Sequence, residues 1–105
     1  MEKIYNKLVR DKIPQIIEAG GSSCETEILP QDAYVQKLEE KLQEELTEYL
    51  QSKQPEELAD LLEVLQALLK ARGISWDALE KIRLEKREAR GGFEEKILLK
   101  TVKER

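Results

Sequence analysis

The side chains here with the most chemistry to offer are carboxylates. From Glu44 to Leu65 the chain reads "EELTEYLQSKQPEELADLLEVL", two acidic clusters separated by a short polar connection. Glu45 and Glu48 stand three residues apart in the first cluster, and Glu57 and Asp60 repeat that spacing in the second. On a helix this spacing puts both members of a pair on one side. Four anions crowded beside an apolar seam repel one another and lose hydration, so they must protonate or take up a cation. All-oxygen sets suit Mg²⁺, with Mn²⁺ as the alternative, and these ions complete their coordination with water and substrate phosphates. The chemistry implied is metal-assisted phosphoryl or nucleotidyl hydrolysis, with a water activated by the cation as nucleophile.

The rest of the composition narrows the field. No histidine occurs among the 105 residues, which removes Ser-His-Asp and Cys-His nucleophiles and histidine zinc sites. The single Cys24 excludes an internal disulfide framework and a multi-cysteine zinc site. Any catalysis therefore falls to carboxylates. The formal charge of −4 comes with no long basic block, so nucleic acid is not an expected partner. Neither an apolar run of about 18 residues nor a signal-peptide core is present, so no membrane association and a cytoplasmic location are expected.

Charged residues make up 38% of the chain and aromatics 5%, with Leu, Glu and Lys at helical spacing, which points to an all-α fold. Asp11 is a candidate cap for a short helix carrying Pro14 in its first turn and ending at Gly20-Gly21. The stretch "SSCETEILP" has loop character with some alternation, as of a short strand. Asp32 is a candidate cap for a long helix running to about Ser52, and Pro55 fits the first position of another that Gly73 closes. Ser75 caps a further helix, which Gly91-Gly92 stops. The tail "FEEKILLKTV" reads as a strand that could pair around Thr26 to Leu29. With no repeat or long linker, residues 1–105 read as one domain: an antiparallel helix hairpin with short extended segments towards both ends, completed by oligomerisation.

On a helical wheel of about 100° per residue with Leu42 at zero, Val35, Leu38, Leu42, Leu46, Tyr49 and Leu50 form one apolar stripe. Glu45 lies beside that stripe at about −60° and Glu48 at about −120°, whereas Glu44, on the far side, is expected in water. With Leu61 at zero on the second helix, Glu57 falls inside the stripe at about −40° and Asp60 at its margin near −100°, while Glu56 and Glu63 point elsewhere. The connection "QSKQP" is short enough to make the helices antiparallel neighbours. A turn near Lys53 brings Glu48 next to Glu57 and Glu45 next to Asp60. The plain alternative is two solvated faces with lysine partners such as Lys41, and the wheel geometry leaves both readings open.

Glu45-x-x-Glu48 followed by Glu57-x-x-Asp60 resembles the ExxE…ExxD signature of the all-α nucleoside triphosphate pyrophosphohydrolases, the superfamily of MazG, dimeric dUTPases and phosphoribosyl-ATP pyrophosphohydrolase. "KLQEELTEYL" and "EELADLLEVLQAL" carry the resemblance, and "YNKLVRDKIPQII" and "RGGFEEKILL" are similar to a MazG-like branch labelled phosphoribosyl-ATP pyrophosphohydrolase-like. Eight residues separate Glu48 from Glu57, a shorter gap than in many MazG relatives.

The resemblance implies Mg²⁺-dependent cleavage between the α- and β-phosphates, giving a nucleoside monophosphate and pyrophosphate. Glu45, Glu48, Glu57 and Asp60 would be both metal ligands and catalytic groups, with the identity of the base open. It also implies a homodimer or a dimer of dimers. Hydrolysis of phosphoribosyl-ATP and a non-catalytic helical dimerisation or regulatory module are the alternative functions.

A triphosphate or phosphoribosyl nucleotide also needs cationic contacts. Lys7, Arg10 and Lys12 in "NKLVRDKIP" are candidates, against a solvated amphipathic turn. Arg90 with Gly91 and Gly92 is another, against a plain helix C-cap. Trp76, Tyr34 and Tyr49 could stack on a base or pack on helices, and Cys24 has no assigned role.

Overall fold

A computed structural model of the chain describes residues 1–104. It contains four helices and, among the described residues, no strand: α1 (Ile13–Ala19), α2 (Gln31–Ser52), α3 (Pro55–Ala71) and α4 (Trp76–Arg90). They fall into two compact units, Met1–Ile74 and a second starting at Ser75. No described helix is long and apolar enough to cross a membrane.

The first unit is built around an antiparallel pair, α2 and α3. The connection between them is only Lys53 and Gln54. Lys53 adopts the left-handed conformation at φ 59° and donates its N–H to the Tyr49 carbonyl at 2.8 Å, closing α2. Pro55 then starts α3, where its missing N–H has no partner to lose. At the other end of the pair, the Gln31 side-chain amide donates to the Ala71 carbonyl at 2.7 Å. Gly73, at φ +71°, turns the chain out of α3. Leu38 from α2 and Val64 and Leu69 from α3 are the buried apolar side chains.

Several local expectations need correction. The cap position of α1 belongs to Lys12 rather than Asp11, and no side chain caps it. The N–H of Ile13 bonds to the Arg10 carbonyl at 3.0 Å, so the chain enters α1 through a hydrogen-bonded turn that already contains Asp11. Asp32 lies within the first turn of α2, where its charge favours the helix dipole, and Pro30 takes the cap position. "SSCETEILP" forms no strand. The tail does not either: Lys96, at φ 58°, donates its N–H to the Phe93 carbonyl at 3.1 Å, a turn that breaks the alternation a strand requires.

In the second unit, the Ser75 hydroxyl accepts from the Ala78 N–H at 3.1 Å and so caps α4 as expected. Gly91 ends α4 at φ +85°, and an Arg87–Glu94 ion pair at 2.8 Å wraps the turn beyond it.

Candidate metal centre

The helix pair brings the expected carboxylates together. Single oxygens of Glu45, Glu57 and Asp60 lie within 4.8 Å of one another, and Glu44, Glu45 and Glu48 form a second such triplet. Glu45 belongs to both. Its residue is only 5% exposed, so it is buried as deeply as the leucines of the seam. One oxygen, Oε1, lies 3.5 Å from Lys41 Nζ. The other, Oε2, is buried without any hydrogen-bond partner. A buried, unpartnered carboxylate oxygen is costly, and this one belongs to the residue that the two acidic triplets share.

The electrostatics follow from that crowding. Burial, then the Glu48 carboxyl, near enough to share a proton with Glu45 and alike in charge, push the Glu45 carboxyl above its ordinary range, against the pull of Lys41. Desolvation, then the charges of Glu48 and Asp60, push Glu57 up as well. Glu44 goes the other way: burial raises it, but the Lys7 hydrogen bond and the Lys41 charge outweigh that and hold it below the ordinary range. In turn the Glu44 bond raises the Lys7 ammonium.

Glu44 is the residue that the wheel misplaced. It is half-buried and accepts from Lys7 Nζ at 3.0 Å, with Lys41 Nζ at 3.6 Å. The wheel centred the buried face on Leu42, whereas α2 turns Leu38 and Glu45 toward α3, a rotation of about 50° that carries Glu44 back to the cluster. Glu45 itself was the available signal, since a carboxylate at the margin of the apolar stripe is the place where a small rotation changes which neighbours face inward.

Of the expected phosphate contacts, Lys7 and Arg10 reach the acidic cluster. Arg10 Nη2 donates to Asp60 Oδ1 at 2.6 Å, and Lys7 holds Glu44. A groove of about 270 Å³, whose lining includes Lys7, Leu8, Lys37, Glu40, Lys41 and Glu44, opens beside Lys7. Lys12 is exposed and makes no ion pair among the described residues. Arg90 is exposed in the second unit, at the last position of α4. The C-terminal end of a helix presents carbonyls rather than N–H groups, so Gly91 and Gly92 offer a phosphate no dipole attraction. A side chain at Gly92 would also collide with the Arg87 guanidinium and the Glu94 carboxylate. Trp76 is half-exposed at the start of α4, Tyr34 and Tyr49 are half-buried on α2, and Cys24 is an exposed free thiol.

Five carboxylates thus face three cationic side chains, Lys7, Arg10 and Lys41, two positive charges short of neutrality. The donors are all hard oxygens, and one is buried and unused. This set fits a hard divalent cation. Compared with known proteins, the chain matches no family model, no curated protein and no solved structure.

Proposed function

We propose that this protein is a Mg²⁺-dependent nucleoside triphosphate pyrophosphohydrolase acting in the cytoplasm, releasing a nucleoside monophosphate and pyrophosphate. The observation that carries the reading is the buried, unpartnered Oε2 of Glu45, the residue that both carboxylate triplets share. The ExxE…ExxD resemblance supports the same reading, and house-cleaning of nucleotides is the role it suggests. Glu45, Glu48, Glu57 and Asp60 would hold the ion, with Mn²⁺ as a substitute for Mg²⁺. When bound, the cation supplies polarisation of phosphate oxygens and acidification of water, which suits a chain without histidine. One of the four carboxylates takes the proton of the attacking water. Lys7 and Arg10, already beside the cluster, meet the phosphates, and Lys12 is a further candidate for that contact.

The test is a panel of canonical and modified triphosphates together with phosphoribosyl-ATP, with pyrophosphate as readout. Release from triphosphates, lost in EDTA and in Glu57→Gln, supports the reading. Release from phosphoribosyl-ATP alone moves the assignment to that hydrolysis. The three cationic partners of the cluster favour one second reading, a non-catalytic helical module whose acidic hairpin is neutralised by its own side chains. Such a module would release no pyrophosphate and gain no stability from metal.

A homodimer completes the helical core. Leu50 remains 55% exposed and Leu62 46%, and Leu46 and Leu58 are exposed with them, all at one edge of the two apolar stripes. Two helices leaving this edge to water invite a four-helix arrangement with a second copy, or a dimer of dimers. Leu50→Glu combined with Leu62→Glu is expected to halve the mass measured by light scattering after gel filtration. A wild-type chain already running as a monomer would contradict the dimer.

A further inference from the structure

The segment ahead of α1 lies on the acidic cluster through two side chains of different standing. Lys7 pairs with Glu44, which lies outside the ExxE…ExxD set, whereas Arg10 pairs with Asp60, which lies inside it. Asn6, at φ 47°, bends the chain just before this segment, a conformation asparagine tolerates better than most residues. A guanidinium at 2.6 Å from Asp60 Oδ1 occupies a lone-pair direction of the carboxylate and places a positive charge beside it. A divalent cation that takes Asp60 as a ligand must compete with that charge.

We infer that Arg10 is a built-in competitor for the metal: loading the cluster displaces its guanidinium from Asp60, and the displaced side chain becomes a phosphate contact. The inference rests on the metal-centre reading above and adds a regulation of that site. The Lys7–Glu44 pair tethers the segment, so the released Arg10 stays within a few residues of the groove that Lys7 lines. Both partners of the Arg10–Asp60 pair are about half exposed, and such pairs shift an equilibrium by at most about fivefold. Arg10 therefore acts as a weak gate that metal opens, not as a lock. In the metal-free protein it offsets part of the carboxylate repulsion. With metal bound, its fork of N–H donors matches phosphate oxygens better than a lysine would.

The test measures Mn²⁺ alone by its electron paramagnetic resonance signal, without nucleotide, in wild type, Arg10→Met, Arg10→Lys and Lys3→Met. Lys3 lies in the same N-terminal stretch, with its ammonium over the Tyr5 ring, and controls for net charge. Arg10→Met is expected to bind Mn²⁺ about three- to fivefold more tightly, Arg10→Lys to fall between, and Lys3→Met to match wild type. With Mn²⁺ saturating, inorganic pyrophosphate should bind Arg10→Met more weakly than wild type, the opposite direction to the metal effect. Equal or weaker Mn²⁺ binding by Arg10→Met, with wild type binding Mn²⁺, overturns the gate and leaves the metal centre standing. If wild type takes up no Mn²⁺ at millimolar concentration, the metal centre falls and the gate with it.

Discussion

Replacing Glu45 with Gln is expected to abolish pyrophosphate release, lowering kcat/KM by at least about 10³-fold, while making the metal-free protein more stable. The two effects have one cause. The folded wild-type chain holds the Glu45 carboxyl in the hairpin seam with one oxygen unpartnered and like charges from Glu48 and Asp60 beside it. Gln has the same shape, carries no charge to desolvate, and its amide donates to the Glu48 carboxylate. Removing an unsatisfied buried acceptor of this kind is worth on the order of 1 kcal/mol, enough to raise the melting temperature in EDTA by a few degrees. In Mg²⁺ the order reverses, because only the wild type gains from binding. Scanning calorimetry of both proteins in EDTA and in Mg²⁺ checks this. A Glu45→Gln variant less stable than wild type in EDTA would mean that the seam tolerates the charge at no cost.

The second large effect is an inversion of the pH dependence of stability by metal. Glu45 and Glu57 hold their protons more tightly in the folded chain than at the ordinary carboxylate value of 4.5. The folded state therefore binds more protons than the unfolded one above that value, and stability falls as pH rises through this window. Glu44, Glu80 and Glu94 are held below 4.5, so they add stability above it and lose it as pH falls through their folded values. The two groups act in different windows, which puts the stability maximum of the metal-free protein at mildly acidic pH. Divalent cations bind the deprotonated carboxylates, so their affinity climbs across the upper window, and at a hundred times the dissociation constant they add about 2.7 kcal/mol. Melting temperature against pH should thus decline in EDTA as pH rises above the ordinary carboxylate value, and rise over the same window in Mg²⁺. Parallel curves would show that the cation does not bind these carboxylates.

Much of this arrangement is written in local signals. Pro55, Gly73 and Ser75 mark helix boundaries because their backbone chemistry acts within a turn or two, and each stands where that chemistry requires. The short connection and the duplicated three-residue spacing bring Glu45, Glu57 and Asp60 together, because an antiparallel helix pair leaves little freedom of register. Glu44 escaped because its role depends on a rotation of α2 of about 50°, which is decided by packing against α3 and not by periodicity. The pairing of Arg10 with Asp60 spans 50 residues of sequence, and no local pattern in either segment encodes a contact at that range. The tail reads as a strand, but a strand needs a ladder partner, and one left-handed residue, Lys96, is enough to interrupt the extended run.

Cleavage between the α- and β-phosphates is read most directly by ³¹P nuclear magnetic resonance of nucleoside triphosphates incubated with the wild-type protein in Mg²⁺ and in EDTA. Paired monophosphate and pyrophosphate signals should grow in Mg²⁺ and be absent in EDTA. Diphosphate with inorganic phosphate, or turnover indifferent to EDTA, would contradict this metal-dependent cleavage.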